Sequence, residues 1–209
     1  MCPGRLVTTR RAAWLGLVTF AVTIVAEHCL RPALSPLTHQ ISEYATGGGG
    51  ALAAAGFAAW SLSLGATSRL VWCMRRNALA ILFALAAVGM ATVACFETQT
   101  VAGVVPRGAH ITLTGHLHNI GSGVSTLALL SAALLSAWTW GPGRFRLMTA
   151  VSAVTAVAIN LALLQLGPEV GGLRQRLLVL IACGWQAAFL VAISRANASH
   201  RGRGDHLRR

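Results

Sequence analysis

The sequence predicts an all-α integral membrane protein, with six transmembrane helices in one bundle and a short amphipathic helix in the first outer loop. Three observations predict it. Only 11% of the 209 residues are charged, against about a quarter in a soluble domain. Mean hydropathy is +0.65, and the apolar residues are gathered into six long runs. Such a chain cannot cover a water-exposed surface, so a soluble enzyme, a disordered chain and a secreted disulfide scaffold are excluded.

The runs are 12–30, 51–68, 78–96, 120–140, 147–166 and 177–194. Each comes close to the ~20 residues that a helix rising ~1.5 Å per residue needs to cross a ~30 Å hydrocarbon layer. Residues 1–196 therefore make one six-helix membrane domain, and 197–209 a basic, disordered tail. The first run follows Arg5, Arg10 and Arg11 in the manner of a signal peptide, but no small-x-small cleavage site follows it, so it is read as a retained anchor. Alanine and glycine fill the runs, which either lets helix backbones approach in lipid or only reflects a compositional bias.

Orientation follows from the 17 basic residues, all of them arginine. With connections assigned to alternate sides, 13 arginines fall with the termini and four, Arg31, Arg107, Arg174 and Arg176, on the other side. The expectation is a cell (inner) membrane protein with N- and C-termini cytoplasmic. The basic residues flank helices, where anionic headgroups attract them, so membrane lipids are the expected partners and nucleic acid is not.

Acids and imidazoles sort the other way. Glu27, Glu43, Glu97 and Glu169 lie on the outer side, as do His28, His39, His110, His116 and His118. Loop polarity alone is one explanation. A site is the other, because Glu27 and His28 lie within the first run, where ionisable groups are costly unless they face protein or water. Glu97 ends the third helix and His118 opens the fourth at the same level. His118, Ser122 and Ser125 are spaced i, i+4 and i+7, which is one helix face.

In the first outer loop, Ile41, Tyr44 and Ala45 share a helical face, so residues 36–45 are expected to form a short helix lying in the interface, stopped by Gly47 to Gly50. Those glycines follow no strand and precede no Lys-Ser/Thr, which argues against a phosphate loop.

Leu37-x-x-x-Ile41-Ser42-Glu43-Tyr44 before the glycines, the acid after Phe96, His118-Asn119-Ile120-Gly121-Ser122, and Gly172-Leu173-Arg174-Gln175-Arg176-Leu177 with Trp185 beyond together resemble the bacterial and archaeal membrane-protein family of unknown function 998 (DUF998-like). Members tend to carry a proline and an aspartate after the third helix, where this chain has Glu97-Thr98-Gln99. The resemblance implies the six-helix architecture and marks Ser42, Glu43, His118 and Arg176. It implies no activity.

The chemistry open to these residues falls into two classes, beside a third reading in which buried ion pairs merely fasten the outer loops. The first is a multi-pass membrane protein, lipid- or envelope-associated, that binds a ligand at an extracytoplasmic cluster including Glu27, His28, Glu97, Arg107, Arg174 and Arg176, with the arginines pairing the glutamates or gripping an anionic headgroup. The second is a membrane-embedded hydrolase acting on a lipid or headgroup, with Glu43 as base, His118 as its partner and Ser42 as nucleophile or merely a loop-bonding serine. A divalent metal such as zinc is a possible cofactor, held by His116, His118, Glu97 and Glu43. His116 and His118 are two apart, about 200° on a helix, and can share an ion only if His116 lies in loop. Haem is disfavoured because no histidines pair in a hydrophobic midsection. Cys29 and Cys95, both at outer helix ends, are either bonded in an oxidising compartment or isolated apolar cysteines. Mid-membrane amides, Asn160, Gln165 and Gln186, are expected to bond between helices.

Overall fold

Six helices in succession build the chain in a computed structural model that describes residues 3–139 and 143–206, and the side chains of all of these but 3–5, 144 and 196–206. They are α1 (Pro3–Leu30), α2 (Ala51–Cys73), α3 (Asn77–Cys95), α4 (Leu113–Thr139), α5 (Gly143–Leu164) and α6 (Gly171–His206). All six are long and apolar enough to cross a membrane. Trp140, the expected last residue of the fourth span, and residues 207–209 of the tail lie outside the described residues. The helix α6 continues through the part of the tail up to His206.

The connections alternate in length. At one end α2 passes to α3 through three residues, with Arg75 in the left-handed conformation at φ 58°. Its neighbours close the helix by Arg75 N–H to Trp72 O and Arg76 N–H to Val71 O, so that the last carbonyls of α2 are not left orphaned. At the other end, which we call the loop end, lie the long connections after α1 and α3 and the short one after α5.

Successive helices α1 to α4 pack closely, and α5 more loosely against α4 and α6. Small residues are the reason for the close contacts. A Cβ added at Gly89 would sit 2.5 Å from the Gly121 carbonyl oxygen on α4, and one at Gly56 would sit 2.8 Å from the Thr23 methyl on α1. The glycines are thus used as contact points, as packing in lipid favours. Between them runs an aromatic stack: Phe20 on Trp60 at 4.5 Å, and Phe83, Trp185 and Phe189 on one another. Gln186 is completely buried; its Oε1 accepts the Trp60 indole N–H at 2.8 Å and its amide donates to Ser63 Oγ at 2.9 Å. Ser63 in turn donates to the Ala13 carbonyl, so one amide ties α6, α2 and α1. Asn160 instead donates to Ala156 O within its own helix, and Gln165 is exposed.

The first long connection departs from expectation. In place of an interfacial helix over 36–45 there is a five-residue 3₁₀ helix, Ile41–Ala45, with every residue buried. Backbone groups upstream of it are bonded to α6: Leu173 N–H donates to Leu37 O, Arg176 to His39 O, and Gln175 Oε1 accepts the Ile41 N–H. Those groups are unavailable for a continuous helix. Gly172 makes the approach possible, because any Cβ there would collide with the His39 and Pro36 carbonyls.

Candidate functional site

The loop end holds three neighbouring arrangements, and part of the expected single cluster is divided among them. The first is built on Glu43. Its side chain is 3% exposed, and both carboxylate oxygens are occupied: Oε1 accepts from Gly103 N–H at 2.8 Å and Thr100 Oγ1 at 3.2 Å, Oε2 from Ala102 N–H at 2.9 Å. The donors come from a tight turn, Val101 to Val104, with Ala102 at φ 51° and Gly103 at φ 78°. Two successive positive-φ residues aim adjacent N–H groups at one point, forming a nest for the carboxylate. Alanine in this conformation is strained by roughly 1–2 kcal/mol. Ala102→Gly is therefore expected to stabilise the protein, by about 0.5–1 kcal/mol once the extra chain entropy of glycine is subtracted. A thermal melt in which the midpoint falls on substitution would refute that strain.

The second arrangement centres on Arg176. Its Nε donates to His28 Nε2 at 2.8 Å, its Nη1 to the carbonyls of His39 at 2.6 Å and Gly172 at 3.0 Å, and its guanidinium lies 5.4 Å from the centre of the Tyr44 ring. His28 Nδ1 faces the Ile24 carbonyl, which only accepts, so Nδ1 carries the proton and Nε2 the lone pair that Arg176 uses. Tyr44 OH donates to Leu34 O at 2.7 Å, and Arg31 binds the Tyr44 and Thr46 carbonyls. This set fastens α1, the first loop and α6. Arg176 Nη2 is buried without a partner, as is Glu27 Oε1 on α1.

The third is a cavity of about 390 Å³, partly open to the outside, between the 3₁₀ helix and α2 to α6. Most of its wall is apolar, from Phe57, Met90, Val93, Leu129 and Leu178 among others. Polar groups enter it from the Ile41–Ala45 turn (Ser42), from one face of α4 (His118, Ser122, Ser125, Thr126), and from Asn160, Gln175 and Trp185. Ser42 Oγ, Ser125 Oγ and the Trp185 indole nitrogen are all buried with no hydrogen-bond partner. The parent residues are only 2%, 1% and 4% exposed. His118 Nδ1 lies 2.7 Å from the Phe96 carbonyl and must donate to it, which leaves Nε2 as the lone pair of the neutral ring.

Of the residues expected at the site, Ser42 and His118 border this cavity. Glu43 is turned away from it into the loop, His28 and Arg176 belong to the second arrangement, and Glu27 is buried on α1. Glu97 and Arg107 are exposed, and Arg174 is half-buried. Because α4 starts at Leu113, His116 is helical rather than in loop; it is exposed while His118 is buried, so the pair cannot share an ion. Among the described residues no three His, Cys, Asp or Glu side chains gather as a ligand set. Cys29 and Cys95 are both free thiols. Sequence reasoning missed Gln175, Trp185 and Asn160 as cavity residues, and the 100–103 turn as the partner of Glu43. The turn gave little signal, because Ala102-Gly103 is not among the dipeptides that favour a two-residue hairpin turn.

The sequence profile described as protein of unknown function (DUF998) matches residues 14–192, which takes in every helix that shapes the cavity. The chain belongs to this family. No curated protein matches it, and no solved structure does. Within this DUF998 protein, Ser42, Glu43, His118 and Arg176 divide their roles: Ser42 and His118 line the cavity, while Glu43 and Arg176 hold the connections at the loop end.

Proposed function

We propose that this is a multi-pass protein of the cell membrane, termini cytoplasmic, that binds an amphiphilic, lipid-like ligand in the cavity between the Ile41–Ala45 turn and α4, α5 and α6. One observation carries the reading: three residues on three different elements, each with a buried polar atom that has no partner, border the same largely apolar space. Buried polar groups are normally satisfied, so an unsatisfied set in one cavity is what a bound molecule would complete. The volume is within the range of about 300–1,000 Å³ typical of small-molecule sites. The loose packing of α5, whose Val157 and Leu161 border the cavity and are also exposed, supports access from the bilayer. The arginine asymmetry supports the orientation, with the loop end outside.

The test is to purify the protein in phosphatidylcholine nanodiscs and quantify retained lipids by native mass spectrometry. A stoichiometric lipid-like molecule is expected, absent from Ala182→Phe and Ala156→Leu, which fill the cavity from two helices. Equal retention in both variants would overturn the reading.

A second reading, a membrane-embedded hydrolase, has one observation in its favour: Ser42 and His118 border the same space and His118 Nε2 is the unprotonated nitrogen. Ser42 Oγ would add to an ester carbonyl while its proton passes to Nε2 and then to the leaving alcohol, and water would release the acid. In the structure described, Ser42 Oγ is bonded to nothing, so the dyad would have to form on binding. Covalent labelling of Ser42 by a fluorophosphonate, lost in His118→Phe, would establish it; an unlabelled protein would dismiss it.

A further inference from the structure

A second space opens on the outside of the bundle, away from the loop end. It is an open groove of about 530 Å³ over one face of α2, with Thr8, Thr9 and Ala12 of α1 on one side and Ala87, Val88 and Ala91 of α3 on the other. Its floor is Gly65, with Ser61, Leu62, Ala66 and Arg69 around it. Glycine is the least favourable residue in a helix interior after proline, so one in mid-helix needs a reason. Gly16, Gly56, Gly89 and Gly121 have one, because a Cβ at any of them would collide with the adjacent helix. At Gly65 a Cβ would meet only that of Ala87, at 4.0 Å. The missing side chain serves no helix contact; it leaves room.

The groove is polar at one end only. Ser63 donates to the Ala13 carbonyl, and from that contact both helices run toward the same end, which brings Arg69 level with Thr8 and Thr9. Inward from Arg69, the Ser61 hydroxyl is spent on the Ala87 carbonyl, and Leu62, Ala66, Val88 and Ala91 offer only hydrocarbon. From Arg69 to Ser61 is about 12 Å at a rise of ~1.5 Å per residue. Arg69 is exposed, and no carboxylate lines the groove beside it among the described residues. Of the five acids only Asp205 is assigned to this side, against 13 arginines, so anions are drawn here and the ammonium of a zwitterion is repelled.

We infer that the groove holds one anionic phospholipid of the leaflet on the side of the termini, its phosphate paired with Arg69 beside Thr8 and Thr9 and one acyl chain laid over Gly65. The order of the parts is that of a lipid in its leaflet: charge four residues before α2 ends at Cys73, hydrocarbon toward the middle of the membrane. A free phosphate would leave the apolar length of the groove uncovered. This site is separate from the cavity and does not depend on its ligand; the orientation proposed above decides only that the leaflet is the cytoplasmic one.

The test is native mass spectrometry of protein released from nanodiscs of equimolar dioleoylphosphatidylglycerol and dioleoylphosphatidylcholine, with thermal midpoints as the check on folding. The parent is expected to keep one phosphatidylglycerol in preference to phosphatidylcholine. Arg69→Gln should lower that preference about fivefold, the worth of one arginine beside an anionic headgroup. Arg75→Gln removes equal charge at the same end but outside the groove, and should leave the preference unchanged. Gly65→Leu, which fills the groove, should lose the lipid at an unchanged midpoint; should that midpoint fall, the two arginine variants decide alone. Ala182→Phe fills the cavity instead and should keep the phosphatidylglycerol, so the two sites fail separately. Equal retention of the two lipids by the parent, equal effects of the two arginine variants, or undiminished phosphatidylglycerol in a folded Gly65→Leu protein would each overturn the assignment. So would a dimer that Gly65→Leu disperses, since a second copy of the chain would then be the occupant.

Discussion

Glu43→Ala is expected to detach the connection between α3 and α4 from the bundle. The carboxylate accepts three hydrogen bonds at 2.8 to 3.2 Å, two of them from the N–H groups of a turn held at positive φ. Removing it leaves the Ala102 and Gly103 N–H groups near the loop end without their acceptor and removes the reason for the turn to stay strained. Orphaned donors cost ~1–3 kcal/mol each, and the expected total is a loss of about 3 kcal/mol or more. Two measurements check it: the thermal midpoint, and proteolysis of the 98–104 segment in nanodiscs, which should become fast. Glu43→Gln keeps one acceptor oxygen and should fall between. A Glu43→Ala protein that melts and resists protease like the parent would show that the nest carries no stability. Such a result would also reopen Glu43 as a chemical group.

The second large effect is expected at Gly89. Any Cβ there would meet the Gly121 carbonyl oxygen at 2.5 Å and the Ser125 backbone nitrogen at 2.8 Å, both rigid backbone atoms of α4. Gly89→Val must therefore drive α3 and α4 apart. Overpacking costs typically ~1–3 kcal/mol, and a backbone-to-backbone clash belongs at the top of that range. Because Ser125 is itself on the cavity wall, the displacement should also weaken ligand retention, linking a packing defect to the site. Gly123, on α4 two residues from both Gly121 and Ser125 and with open space around it, is the control: Gly123→Val meets nothing and should leave both the midpoint and ligand retention near the parent. Equal behaviour of the two valine variants would refute the contact.

Much of the architecture was legible because bilayer physics is simple. A run of ~20 apolar residues has few other fates, and six of them emerged as six helices. The α4 face that joins His118, Ser122 and Ser125 was equally legible, since helical periodicity alone puts residues i, i+4 and i+7 on one side. What those residues face was not. Helix starts were misjudged where polar residues open a span: α4 begins at Leu113 and α6 at Gly171, because an apolar run marks only the apolar part of a helix and not its polar first turns. That shift decided the fate of His116 as a ligand. The Ile41–Ala45 turn misled for a related reason, its apolar spacing being real while its preceding backbone was already bonded to α6.

The sequence by itself determined that this DUF998 protein is a six-helix membrane bundle with four of its five acids and five of its seven histidines assigned to one end, because hydrophobic length and local periodicity are properties of contiguous residues. Only tertiary structure decided which of those groups are mutual partners. Glu43 meets a turn some sixty residues away and Arg176 meets His28 across the whole chain, so each is satisfied by a partner that no local pattern specifies. Ser42, Ser125 and Trp185 are left unsatisfied around one cavity for the same reason: whether a buried donor finds an acceptor depends on what the fold brings beside it.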